Sequence, residues 1–439
     1  PRAVGGLVAR VVLDVPVVRV RQRLRVQLAP VLDRAVQADE VGDVGVEADV
    51  VEADLLDEPH GRVGGAEVGV LVELERVDPR RELHPQDVPT SRCRVAGVGR
   101  EVPFDQLVLA PGAQYNYFGN EEWQEHAPGL KTISDALKVR ERILQSLEEA
   151  EQLQDPKQRQ IHLTYVIIGG GPTGVEMAGA IAEIAGRTMR NGFKNVKEEE
   201  IRIFLVEAAP NLLNGFPEPL GEKGTKMLEE LGVKVLRGTR VVKIEQDTVH
   251  LKVGSIKSSN IIWAAGIKAS PLLDSLEVEQ DRLGRVMVND DLSIPGHSDI
   301  FVLGDAAHLK DENGKPLPAL ASVARQQGMF LGKVLAEEDT GKRLRPKFRY
   351  VDKGTMATIG TAKAVANIRG LKFSGFFAWV LWSTVHILLL IGFRNRINVF
   401  VEWVWNYLTR KRGVQLITDR SGCRHCRSEE FTVGDKKSI

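Results

Sequence analysis

The first 89 residues contain no aromatic side chain, no Ile, no Lys, no Asn and no hydroxyl or sulfur-bearing residue. They use ten types only: Ala, Asp, Glu, Gly, His, Leu, Pro, Gln, Arg and Val. Those are the ten encoded by codons beginning with G or C, the pattern expected of a GC-rich gene read in a wrong frame or on the wrong strand. The other reading is a genuine Val/Arg-rich domain, with Val12-Leu13 and Val70-Leu71-Val72 as strands. Ile and the aromatics dominate ordinary cores, and all 25 aromatic residues lie at or beyond Phe104. Residues 1–95 are therefore set apart as an anomalous segment, expected not to form a native fold. Pro1 stands where an initiator Met would, and no charged-then-apolar leader pattern follows it.

Other scarcities exclude whole classes. Three cysteines in 439 residues rule out a disulfide-stapled scaffold and fit a reducing compartment. With 59 basic and 59 acidic side chains there is no basic excess, which argues against a nucleic-acid partner. Cys423-Arg-His-Cys426 looks like half a zinc site or a redox pair, but no second half exists, so it is read as a solvated tail and no metal is expected. A 43% hydrophobic composition over this length predicts two or three domains with substantial cores.

From residue 100 the patterning becomes readable. Phe104–Ala110 is an apolar run ending in Pro111-Gly112, a buried strand meeting a turn. Residues 132–155 form a charged helix with Ile133, Leu137, Ile143 and Leu147 on its apolar stripe. Leu163–Ile168, Ile201–Val206 and Val233–Leu236 are strands separated by helices, an alternation that implies a parallel sheet covered by helices. Leu107–Gly112 resembles Ile261–Gly266, the two glycines lying 154 positions apart. A repeated strand-plus-Gly device suggests two related dinucleotide-binding domains.

Gly169, Gly171 and Gly174 give G-x-G-x-x-G directly between a strand and a helix. The first Gly permits the tight turn, the second lets a pyrophosphate approach the backbone, and the third lets helix pack on strand. The helix N-terminus offers free N–H groups to the phosphates. Glu207 closes the second strand, where a carboxylate can hydrogen-bond ribose hydroxyls. It follows Gly174 by 33 residues, beyond the usual ~20, and the polar stretch 187–200 accounts for the excess as an extended helix or loop. No Arg follows Glu207 directly, which favours NADH over NADPH.

Gly169-Gly-Gly-Pro-Thr-Gly-Val-Glu176, Ile300-Phe-Val-Leu-Gly-Asp305 and Ala321-Ser-Val-Ala-Arg-Gln-Gln-Gly328 together resemble the two-dinucleotide-domain flavoproteins. More closely, residues from about 100 to about 418 resemble the type II NADH dehydrogenases, single-subunit, non-proton-pumping NADH:quinone oxidoreductases. The resemblance implies an α/β fold with two Rossmann-like domains, FAD and NADH as cofactors, and ping-pong transfer of hydride from NADH to FAD and of two electrons on to a membrane quinone. It implies FAD contacts at Ala110, Gly112, Gly304 and Asp305, with Ala265, Gly266 and Ala324 completing the cofactor-binding set. Asp305 would accept from a ribitol hydroxyl; as a bare residue it also reads as a turn cap. Gln326 and Gln327 match the quinone-side motif, although Ser322 stands where a Gln is usual; a helix starting near Pro318 would favour negative charge on reduced flavin. Glu176 matches a residue implicated in proton and hydride chemistry, with a dipole-stabilised carboxylate as the plain alternative. The family's first glycine turn, for FAD, does not occur in residues 1–100: Gly61 to Gly69 lacks both the spacing and a preceding strand.

Past Phe348 the composition turns to Trp, Leu, Ile and Phe. Gly375–Phe393 is 19 residues without a formal charge, long enough to nominate a spanning helix. Arg394, Arg396, Trp403, Trp405, Tyr407 and Arg410–Arg412 follow, and aromatics beside cations suit a headgroup region. The resemblance favours an amphipathic monotopic pair on the cytoplasmic face of the inner (plasma) membrane, and a homodimer is the other way to cover part of this surface. The expected domains are a FAD portion at 96–158 and 286–347, an NADH domain at 159–285, a membrane-associating region at 348–412 and a tail at 413–439. Disulfide reductases end in a soluble dimerisation domain, and sulfide:quinone oxidoreductases need mid-chain cysteines that are absent between Cys93 and Cys423. A non-catalytic, membrane-attached NADH-binding protein lacking flavin is the alternative from a different class.

Overall fold

The computed structural model describes residues 100–342, 345–390 and 392–409, preceded by the backbone of short strands at Ala9–Val11, Val18–Val20, Val70–Leu71 and Ser91–Val95. Most of the anomalous segment, the basic run Arg410–Arg412 and the tail with Cys423 and Cys426 lie outside the described residues. In chain order the elements used below are β1 (Leu107–Leu109), α1 (Ile133–Gln152), β2 (Thr164–Ile168), α2 (Pro172–Gly192), β3 (Arg202–Val206), α3 (Glu218–Glu230), β4 (Val233–Leu236) and β5 (Asn260–Trp263). They continue with β6 (Ser293–Ile294), β7 (His297–Val302), α4 (Ala321–Asp339), β8 (Thr355–Thr358), β9 (Ala364–Ile368), β10 (Leu371–Gly375), α5 (Phe376–Leu389) and α6 (Phe393–Thr409).

Contacts divide the chain into two compact units, one holding residues up to Gln114 with Ile267–Val351, the other Tyr115–Gly266 with Asp352 onward. These borders differ from the 158/159, 285/286 and 347/348 divisions expected above. Segment 115–158 goes with the second unit because Val139 and Ile143 of α1 enter the same core as Tyr165 and Ile167. Segment 267–285 goes with the first, where Ala269, Leu273 and Leu276 pack on Leu107, Leu109 and Val286. The C-terminal strands join the second unit's core through Ala357, Ile359 and Val365.

The second unit is built on a four-stranded parallel sheet in the order β4-β3-β2-β5. All five residues of β2 are buried, which is why this strand reads as an unbroken apolar run rather than an alternation. The expected helix stripe holds only in its second half. A capping box between Thr132 and Asp135 opens α1, yet Ile133 is 82% and Leu137 57% exposed, while Val139, Ile143, Leu144 and Leu147 are buried. In the first unit, β7 pairs antiparallel with β6 and parallel with β1, and α4 buries Val323, Gln327, Leu331, Val334 and Leu335.

The C-terminal region is a three-stranded meander, β8-β9-β10, followed by two helices. The apolar run breaks after α5, whose 14 residues span about 21 Å, short of a ~30 Å hydrocarbon core. Among the described residues no helix is long and apolar enough to cross a membrane. Stacking of Trp379 on Tyr407 and Trp382 on Trp403, with centroids 5.4 and 5.5 Å apart, runs the two helices antiparallel.

The half-wrong stripe on α1 yields a paired expectation for urea unfolding. Leu147→Ala, at a fully buried position, lowers stability by about 2–5 kcal/mol. Leu137→Gln leaves it within about 0.5 kcal/mol; equal losses from both would contradict the burial seen here.

Candidate functional site

In the second unit β2 runs straight into the turn Gly169–Gly174, and Gly171 caps α2 ahead of Pro172 at its first position. Each glycine has its own reason. Gly169 has φ +113°, and a Cβ there would sit 2.7 Å from the Ala264 carbonyl. At Gly174 a Cβ would fall 1.8 Å from the Gly169 carbonyl oxygen. Around Gly171, by contrast, nothing lies within 4 Å of that position. Two glycines are thus demanded by the fold, and the middle one leaves open space at a helix N-terminus, which is where a diphosphate binds.

The long gap to Glu207 is explained by α2, which runs to Gly192 before a short helical turn at Glu198–Glu200. Glu207 accepts hydrogen bonds from the backbone N–H of Gly170 through one oxygen and of Ala209 at 2.7 Å through the other. The carboxylate therefore ties the second strand's end to the glycine turn, and each oxygen keeps lone-pair capacity toward a hydroxyl. Ala265 and Gly266 follow β5, and Ala264 donates to the Ile168 carbonyl at 2.8 Å. These residues form one end of the sheet, the carboxyl edge at which open α/β sheets take ligands.

Glu176 stands on the second turn of α2, half-buried, and accepts from the Thr358 N–H of β8 at 3.2 Å. Burial pushes its carboxyl above the ordinary value of 4.5, only partly opposed by the Thr358 bonds. Its partner in this structure is thus the C-terminal meander, which no local sequence signal around Glu176 announces.

The first unit gathers Ala110, Gly112, Gly304, Asp305, Ala324, Gln326 and Gln327. Gly112 has φ +71° and Gly304 φ +67°, each just beyond one of the adjacent parallel strands β1 and β7. The repeated device noted in the sequence is structural, since Gly266 beyond β5 has φ +72°. Gly304 sits against Ala324, whose Cβ would lie 3.2 Å from an added Cβ. Gln327 is 1% exposed, and its side-chain carbonyl accepts the Gly304 N–H at 2.7 Å. Gln326 pairs through both ends of its amide with the Val351 backbone, each bond 3.0 Å, and Ser322 Oγ lies 3.0 Å from the Tyr350 hydroxyl. The helix begins at Ala321, three residues after Pro318, because Leu320 is still extended. Sequence reasoning missed Tyr350 and Val351 as partners, which carry no motif of their own.

It also missed a buried cluster nearby. Asp281 bonds His308 Nδ1 at 2.8 Å and Arg285 at 2.7 Å. Despite its own desolvation, these partners and the neighbouring backbone N–H groups draw its carboxyl down to about 2.

Two substitutions separate the glycine roles. Gly171→Ala meets no protein atom, so the fold keeps its stability, but the added methyl occupies ligand space. Overpacking of about 1–3 kcal/mol corresponds to roughly 5- to 150-fold weaker NADH binding by fluorescence titration. Gly174→Ala strikes backbone, so thermal unfolding shifts down by the same order and binding is lost with it. Unchanged NADH affinity in Gly171→Ala would remove the turn from the binding site.

Comparison with known proteins agrees with this geometry. The family described as pyridine nucleotide-disulphide oxidoreductase matches residues 34–328, reaching back into the compositionally odd segment, and the NDH2 C-terminal domain matches residues 353–412. The type II NADH:quinone oxidoreductase Ndh of Mycobacterium tuberculosis is 38% identical over 342 residues, covering 75% of this chain and 73% of the relative. The mitochondrial internal alternative NAD(P)H-ubiquinone oxidoreductase A1 of Arabidopsis thaliana is 30% identical, covering 77% and 70%. Among solved structures, NDH2 of Plasmodium falciparum in complex with NADH has the same fold, with a TM-score of 0.66 at 21% identity over 72% of this chain and 80% of that one. The chain is a member of the pyridine nucleotide-disulphide oxidoreductase family and, within it, of the type II NADH:quinone oxidoreductases.

Proposed function

We propose that the chain oxidises NADH and reduces a membrane quinone, without proton pumping, from a seat on the bilayer surface. One observation carries this reading: the open glycine turn and an apolar helical hairpin are built on a single unit. Phe377 and Phe393 are 79% and 77% exposed, and Phe400, Val401 and Trp405 are exposed with them. A surface of this kind is stable against lipid and costly against water, and quinone is dissolved in lipid. Lying on the cytoplasmic face of the inner membrane, the hairpin has Arg394 and Arg396 for anionic headgroups. Away from lipid, the same face is where a second copy would pack.

Gly171 and the first turn of α2 would hold the NADH diphosphate, with Glu207 on a ribose hydroxyl. The residues for FAD fit a group laid across strand ends: Gly112 and Gly304 turn the chain away from two adjacent strands, and nothing lies within 4 Å of a Cβ at Gly112. FAD, when bound, supplies a two-electron acceptor for hydride and donor to quinone. Asp305 would accept from its ribitol, while Gln327 positions Asp305 by holding the Gly304 N–H. Gln326 would offer polar contact on the quinone side, and Glu176 holds or releases a proton at its carboxyl.

The decisive measurement is flavin absorbance and NADH:quinone activity of the chain purified with lipid. Bound flavin without quinone reduction would sink the quinone assignment, and NADH binding without flavin would favour a binding protein. Glu176 adds a pH test. Its folded value lies above the unfolded one, so the native state holds the extra proton and stability falls as pH rises from about 4.5 through the raised value. Glu176→Gln removes that slope and stands above wild type in Tm at pH 7, while proton-coupled turnover drops. A variant whose Tm tracks wild type across this range would contradict the burial argument.

A further inference from the structure

Lys223, Lys226 and Glu230 of α3, Lys363 ahead of β9, Ser374 of β10 and Phe376 of α5 line a cleft of about 430 Å³. Lys223 Nζ donates to Ser374 Oγ at 3.0 Å, and Lys363 Nζ pairs with Glu230 at 2.7 Å. Lys363, and more weakly Lys226, hold the Glu230 carboxyl below its usual value. Three ammonium groups face one carboxylate, which leaves excess positive charge. Lys223 keeps two further N–H donors beyond its bond to Ser374. The outer wall is apolar, with Phe376 51% exposed and Phe377 beside it. A cationic basin continuous with exposed aromatics matches a molecule with an anionic head and an apolar tail.

Resting on the membrane-seated reading of the hairpin, we infer that this cleft binds the phosphate head of an anionic membrane lipid, with its acyl chain along Phe376 and Phe377. A soluble anion has no use for the aromatic wall, and a neutral lipid has none for the lysines. Head and tail together fix where the hairpin meets the bilayer, at the junction of α3 with β10 and α5.

The test is co-sedimentation of the full chain with vesicles of phosphatidylcholine alone and of phosphatidylcholine mixed with phosphatidylglycerol. Wild type binds both and prefers the anionic vesicles. Each lysine near an anionic surface is worth about fivefold in partitioning, so K223Q/K226Q loses about 25-fold on anionic vesicles and nothing on neutral ones. The control K252Q/K257Q removes equal charge from exposed positions elsewhere on the same unit and changes partitioning by less than about threefold. An equal loss in the control would overturn the cleft in favour of diffuse charge. Binding to both vesicle types without preference would overturn the cleft and leave the membrane seat standing; no vesicle binding would remove both. Inorganic phosphate titrated without vesicles serves as the last arm: tight binding lost in K223Q/K226Q would mark a soluble-anion site and overturn the lipid assignment.

Discussion

The approach of Gly174 to the carbonyl of Gly169 is the contact on which the second unit depends. It sets where α2 leaves the sheet, and α2 is the element that ties the glycine turn to the C-terminal region. From that start Glu176 reaches the Thr358 N–H, and Glu183 accepts from Thr361 through backbone and hydroxyl. Between them Gly179 lies so close to Gly360 that a Cβ would be 2.6 Å from its backbone nitrogen. The meander that carries the hairpin is thus bolted to the same helix that opens at the glycine turn. A charge-bearing site and an apolar surface share one rigid support, a common way to keep a site precise.

In the first unit the corresponding role falls to α4. Its buried Gln327 satisfies the backbone of the Gly304–Asp305 turn, a neutral side chain doing so without the desolvation cost of a charge. One residue earlier, Gln326 closes a two-bond amide pair with Val351, and Ser322 meets Tyr350 a turn before it. Adjacent glutamines on a helix point about 100° apart, so one can hold the turn inside while the other holds the strap outside. That division of labour gives each glutamine a structural partner of its own, Gly304 for Gln327 and Val351 for Gln326.

Much of this was legible in the sequence, for identifiable reasons. Strands such as Thr164–Ile168 are buried on both faces and read as continuous apolar runs, and G-x-G-x-x-G reads directly because Gly169 and Gly174 answer backbone constraints while Gly171 keeps the helix N-terminus open. Other features were hidden because they depend on distant segments. Ile133 and Leu137 continue the apolar period of α1 yet are exposed, with no partner layer over them among the described residues. Glu207 reads as a ribose ligand because strand position is a local signal, whereas its bond to the Gly170 N–H, 37 residues away in sequence, is not. The 19-residue neutral run Gly375–Phe393 satisfies a hydropathy window, but Gly375 and Gly392, with φ +78° and +81°, bound the helix on both sides. Composition could not show that break; backbone conformation does.

The hairpin's own stability leads to its environment. A helix of 14 residues is marginal alone in water, and α5 has few anchors: Ala378 buried with Ala364 and Ala366, and the Trp379 and Trp382 stacks. Domains bury each apolar face against a second layer, and among the described residues only one is supplied here. The exposed Phe, Leu and Trp side chains would each gain about 1.5–3 kcal/mol on full burial, so even partial burial of several exceeds what the stacks provide. In the proposed membrane seat lipid would supply the second layer, and the same seating would put the quinone's solvent against the unit that carries the glycine turn. Membrane attachment in this reading is part of how the C-terminal region folds, with the polar groups at α3 and β10 deciding how deep it sits.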